Sequence, residues 1–278
     1  MKTLKYFALF LSVILMACST DDDNVPANEL KDLALVQVMS NETHEIELYT
    51  PSGQFVQGYN AVSLRIKDLA TGGYVTNAQV SWMPMMQMMS MAHSCPFSTV
   101  ARTQGTDTLY NGYIVFQMAE NDMEHWSLTV DYTIDGTLYE ATEALSVPAS
   151  AKRTVNSFMG SDGTRYIVAL IEPANPKIAI NAMKAGIFKM ENMMSFPVVD
   201  GYTLKIDPRM PGMGNHGSPN NLDLTQSANG FYDGKLSLTM SGYWKVNLQL
   251  ANTSNEVVKG EAVTDAVTES SIYFEIEF

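Results

Sequence analysis

From residue 34 onward, apolar and polar residues alternate in short runs, and no stretch holds a helical period over three turns. Residues 34–39, 44–49, 61–67 and 74–82 are the first four strand candidates; Pro51-Ser52-Gly53 and Thr71-Gly72-Gly73 supply turn chemistry between them. Runs at 113–118, 126–132 and 138–147 bring the count to seven strands in about a hundred residues, the size of an immunoglobulin-like β-sandwich.

The second half repeats this plan. Ile46, Asn60 and Ile66 fall on Ile167, Asn181 and Ile187, each 121 positions on, and Met83-Pro84 on Met210-Pro211, 127 on. Tyr110-Asn111-Gly112 matches Tyr232-Asp233-Gly234, Met118 matches Met240, and Trp126 matches Trp244. Offsets that drift while strand residues keep their order are the mark of a duplication separated by loop insertions. The chain is therefore read as all-β, with two tandem immunoglobulin-like β-sandwich domains at 30–148 and 149–278. The boundary falls near Val147-Pro148-Ala149-Ser150, where strand character is interrupted.

Ahead of the strands, Lys2 and Lys5 precede an apolar run at 6–16 that is too short to span a bilayer, so 1–17 reads as an export signal. Its end, Leu15-Met16-Ala17-Cys18, resembles the lipobox of bacterial lipoproteins, which implies acylation of Cys18. Residues 18–29, with Ser19, Thr20 and Asp21 to Asp23, then form a lipidated acidic tether similar to the surface-export signal of Bacteroidetes lipoproteins. The expectation is an outer-membrane lipoprotein, periplasmic or surface-exposed, held to the membrane through the lipid on Cys18.

Removing 17 of 278 residues leaves 261, and it takes two lysines with it, so 15 basic residues face 30 acidic ones for a net charge of −15. Such acidity argues against nucleic acid as a partner and against attachment to anionic head groups by charge. Lipidation of one of the two cysteines leaves Cys95 without an intramolecular partner, as a small buried hydrophobe, an intermolecular bridge or a ligand.

The chemistry concentrates in MPMMQMMSMAHSCP at 83–96, where Met83, Met85, Met86, Met88, Met89 and Met91 lead to His93 and Cys95. A shorter version, MPGMGNHGSP at 210–219, offers Met210, Met213 and His216. Thioethers are neutral at every pH and soft, so this inventory suits copper, above all Cu(I). On an extended chain Met83 and Met85 share one side, as do Met86 and Met88, and Pro84 is expected to break the strand and push the next residues into a loop. Three thioethers with His93, and Cys95 as a further candidate, would then surround one ion. Met39, Met118, Met159, Met183, Met190, Met193, Met194 and Met240 read as packing residues, His44 as solvated, His125 as loop or surface, and Trp126 and Trp244 as core. No phosphate-cradling glycine loop, HExxH or nucleophile elbow is present, and Glu42 and Glu45, or Asp122 and Glu124, read as solvated carboxylates; no enzyme and no catalytic residue is expected.

Each half thus carries a Met-Pro, a Met/His loop, a Gly-containing hairpin and a Trp strand, an arrangement that resembles the YtkA-like family, related to FixH-like domains. The second copy has the family's motif as Met210, Pro211, Met213, His216, Gly242 and Trp244. The first departs from it, with nine residues rather than five from proline to histidine and with His125 before Trp126 in place of glycine. The resemblance implies copper handling in the cell envelope without catalysis, with a copper-delivering or copper-receiving envelope protein as partner. The alternative is a non-catalytic surface adhesion or structural module whose Met-rich loop is a contact surface.

Overall fold

Alternation of apolar and polar residues turns every second side chain toward one face, and each half uses this to close two sheets over a core. The computed structural model describes residues 28–278; the signal peptide, the lipobox and Cys18 lie outside them. The first half runs β1 (Ala34–Ser40), β2 (His44–Thr50), β3 (Gly58–Asp68), β4 (Gln79–Gln87), β5 (Ala92–His93), β6 (Ala101–Arg102), β7 (Tyr110–Phe116), β8 (His125–Ile134) and β9 (Thr137–Leu145). They form one sheet in the order β1-β2-β3-β7-β6 and a second in the order β5-β4-β8-β9.

The second half runs β10 (Val155–Met159), β11 (Arg165–Glu172), β12 (Ala179–Lys189), β13 (Thr203–Met210), a 3-10 turn (Pro211–Met213), β14 (His216–Gly217), β15 (Leu222–Gln226), β16 (Tyr232–Leu238), β17 (Tyr243–Ala251), β18 (Val257–Lys259) and β19 (Tyr273–Glu277). Here β15 pairs with both β16 and β13, so the two layers join into one sheet. Each half has its own core, one built from residues between Met39 and Val147, the other from residues between Phe158 and Ile276.

Matching side-chain hydrogen bonds recur in the two halves. Asn60 accepts from the Val56 N–H and donates to the Val56 and Gly58 carbonyls; Asn181 does the same with Lys177 and Ala179. Trp126 Nε1 donates to the Met118 carbonyl and Trp244 Nε1 to that of Met240, both at 3.0 Å. Tyr110 Oη accepts from the Ala78 N–H and Tyr232 Oη from that of Tyr202. Asn60→Ala is expected to lower full-chain stability by ~1–3 kcal/mol in urea melts, because it strands backbone groups at a buried turn; Asn181→Ala, whose partners reach solvent, should cost less.

Two alignments need correction. Ile66 pairs with Ile46, but Ile187 pairs with Val168, so Ile46 corresponds to Val168. The one-residue slip sends Ile167 to the opposite face, where it packs between the halves instead of in the second core. Likewise Pro84 lies across from Leu128 and Pro208 across from Val246, each two residues beyond its tryptophan. Pro84 therefore corresponds to Pro208 and Met86 to Met210, and the two Met-Pro pairs are not equivalent. Pro84 also does not end its strand. Its carbonyl accepts from Ser94 Oγ at 2.8 Å on the side away from β8, so the missing N–H removes no ladder bond.

His44 is buried, not solvated. Its ring stands edge-on to Tyr132 and Tyr139, and Nδ1 lies 2.8 Å from Thr43 Oγ1. Between the halves, Tyr113 packs on Phe231 and Phe188 at 5.2 and 6.2 Å, alongside Val115, Val155, Ile167 and Phe196. Burial in this seam pushes the Tyr59 phenol up to about 12.

Candidate functional site

The methionine stretch divides by strand periodicity. In β4, Trp82, Pro84 and Met86 face inward, and Met83 and Met85 stand half-buried on the opposite face. Met86 and Cys95 are fully enclosed in the first core. Burial pushes the Cys95 thiol well above its ordinary range, partly offset by a hydrogen bond with the Val115 backbone, so it remains an inert thiol in the folded chain.

Beyond Gln87 the chain reverses in a tight turn closed by the Met88 N–H to the Met91 carbonyl at 2.9 Å. Met89 sits at the tip, 78% exposed. Met88, Met91 and His93 line a cleft of about 410 Å³ between the two halves. Gln117 and Met118 line it from the end of β7, Ser157 and Arg165 from β10 and β11, and Met190 and Met193 from the connection after β12. Met118 packs on the first core and Met190 on the seam cluster, as expected of packing residues, and both also line this cleft, so that five thioethers share it. The Met190-Glu191-Asn192-Met193-Met194 cluster is the signal for this in the sequence, but its distance from residue 93 hides the relation.

The peptide around Ser94 orders the site. Its N–H donates to the Met193 carbonyl at 2.7 Å, tying the two walls together. Its carbonyl lies 2.7 Å from His93 Nδ1, and a carbonyl only accepts, so Nδ1 carries the proton and Nε2 keeps its lone pair. Gln117 Nε2 stands 3.4 Å from the same Nδ1 while its Oε1 is buried without a partner; since two donors cannot pair, turning the amide over would let Oε1 accept from the ring. Trp126 holds the imidazole edge-on at 5.9 Å. Among the described residues Nε2 has no hydrogen-bond partner.

The second motif is split by the core. Met210 is buried, with Cε 3.2 Å from where a Cβ on Gly242 would stand. Met213 is 57% exposed, and His216, although across from Met210 in the β13 and β14 pair, is exposed as well. His125 is also exposed.

Among the described residues, no three His, Cys, Asp or Glu side chains cluster as a metal-binding group, and the soft donors lining the cleft are thioethers and one imidazole. Neutral sulfur with an imidazole held through its Nδ1–H would fit soft Cu(I) and fit Zn(II) poorly.

No known family profile matches the chain, and no characterised protein matches it in sequence. One solved structure with some likeness is the Escherichia coli adhesin FdeC, at 15% identity and a TM-score of 0.27, over 87% of this chain and 65% of that one. This chain thus spans slightly less than two thirds of FdeC, and the likeness is too slight to bear on function.

Proposed function

We propose that the cleft between the halves is a Cu(I) site, and that the protein is a membrane-anchored lipoprotein of the cell envelope serving copper handling or delivery. The observation that carries this is that Met88, Met91, Met118, Met190 and Met193, from separate segments of both halves, line one cleft together with His93, whose Nδ1 is engaged by the Ser94 carbonyl. The ligand set thus differs from a single loop: Met83, Met85, Met86, Met89 and Cys95 stand outside it, and the second motif is not required. When bound, the ion would be held by thioethers without loss of a proton, which keeps it available to an exchanging partner in an oxidising compartment. His93 would offer one ligand position, and the methionine side chains would supply the rest.

The test is competition against a chromogenic Cu(I) chelator. One equivalent of Cu(I) should stay with the chain while Zn(II) is not retained. A chain that cannot hold Cu(I) against a weak chelator would overturn the copper reading in favour of a non-catalytic surface module with a thioether contact surface.

A further inference from the structure

The cleft contains one charge that the copper reading does not use. Arg165 opens β11 at the cleft wall, with Nη1 3.5 Å from Ser157 Oγ and its own carbonyl accepting from the Met190 N–H at 2.9 Å. The chain carries 30 acidic residues against 17 basic ones, yet among the described residues Arg165 has no carboxylate within ion-pair distance. Glu191, next to Met190, turns instead to Lys189 at 3.3 Å. Among the described residues, no aspartate or glutamate lines the cleft.

With no acidic side chain lining the cleft among the described residues, a bound Cu(I) would add a second positive charge near the exposed guanidinium at its wall. Water screens that repulsion without cancelling it. An anion that is itself soft resolves both requirements, since it ligates Cu(I) and accepts hydrogen bonds from the arginine fork.

Resting on the copper reading, we propose that Arg165 makes the cleft a site for Cu(I) together with a thiolate, supplied by a small thiol or by the cysteine of a partner protein. Binding releases the thiol proton to solvent, and no electron is transferred. Arg165 acts as a specificity residue for the anionic ligand. It is not itself a metal ligand.

The experiment is equilibrium dialysis of the full mature chain with one equivalent of Cu(I). The probes are N-acetylcysteine amide, whose only charge is its thiolate, N-acetylmethionine amide as the neutral sulfur control, and a short peptide with a single cysteine. The thiol should be retained once per copper and the thioether should not; preference for the peptide over the small thiol points to a protein partner, and the reverse to a free thiol. Arg165→Gln should weaken thiol retention about tenfold, the scale of one charge interaction at a partly solvated site. In the same variant, Cu(I) affinity without thiol should rise, because a repulsive charge is gone, and Arg165→Lys should restore part of the thiol binding. A structural role for Arg165 would lower both affinities together. Thiol that strips the copper without a ternary complex, equal retention by Arg165→Gln, or retention without copper would each overturn the proposal while leaving Cu(I) binding in place. Failure of the untreated chain to take up Cu(I), measured before thiol is added, would instead remove the copper reading beneath it.

Discussion

Leucine at Met88, Met91, Met190 and Met193 together is expected to weaken Cu(I) binding by more than about a hundredfold, since outer-shell changes alone commonly cost ten- to hundredfold. Stability of the metal-free chain should change little, because Met to Leu nearly conserves volume and costs under about 1.5 kcal/mol per buried site. These four side chains are half-buried or exposed at the cleft, so even that figure is an upper bound. The matching variant with leucine at Met85 and Met89 should bind copper like the parent, because the first occupies the far face of β4 and the second stands at the turn tip. His93→Ala alone should also weaken binding. Equal loss in the two leucine sets would mean that the cleft does not select the ligands.

Trp126→Ala and Trp244→Ala should separate stability from the site. Each removes a fully buried indole that donates to a methionine carbonyl, and each is expected to destabilise its own half by ~3–5 kcal/mol. The tryptophans differ in what lies above them. Trp126 packs against Phe116 at 4.9 Å and against the His93 ring, and it fixes the Met118 carbonyl at the cleft. Trp244 fixes Met240, which packs on the second core. Trp126→Ala should therefore also reduce Cu(I) affinity at temperatures where the variant is still folded, and Trp244→Ala should not. Chelator competition alongside thermal melts measures both quantities; an equal effect of the two variants on copper would show that the loss is general unfolding.

The two halves complete each other along their seam. Ile167, Phe188 and Phe196 pack between them, so their faces are covered only when both halves are present. Each half has a separate core, but its surface is finished by the other.

Strand order, the absence of helical periods and the duplication are legible in the sequence, because local alternation and turn residues are properties of neighbours along the chain. Asn60 and Asn181 align correctly for the same reason: each closes a turn within four residues of itself. Register is less accessible. Both Ile167 and Val168 are buried, one toward the seam and one toward the core, and composition does not distinguish two buried faces of one strand. Pro84 departs from expectation because a proline's effect depends on which edge its nitrogen faces, and only the pairing with β8 sets that.

The site shows the same division. Local sequence specifies that soft donors are concentrated at 83–93 and that His93 comes closely after the methionines. Packing of the sheets and of the two halves decides which methionines line the cleft. It encloses Met86 and Cys95, sends Met83 and Met85 to the far face, and places Met190, Met193 and Arg165 in the same cleft as His93 across the seam. A ligand set needs convergence within a few ångströms, and contacts between residues about a hundred positions apart arise from sheet packing and domain docking, which leave no period in the chain.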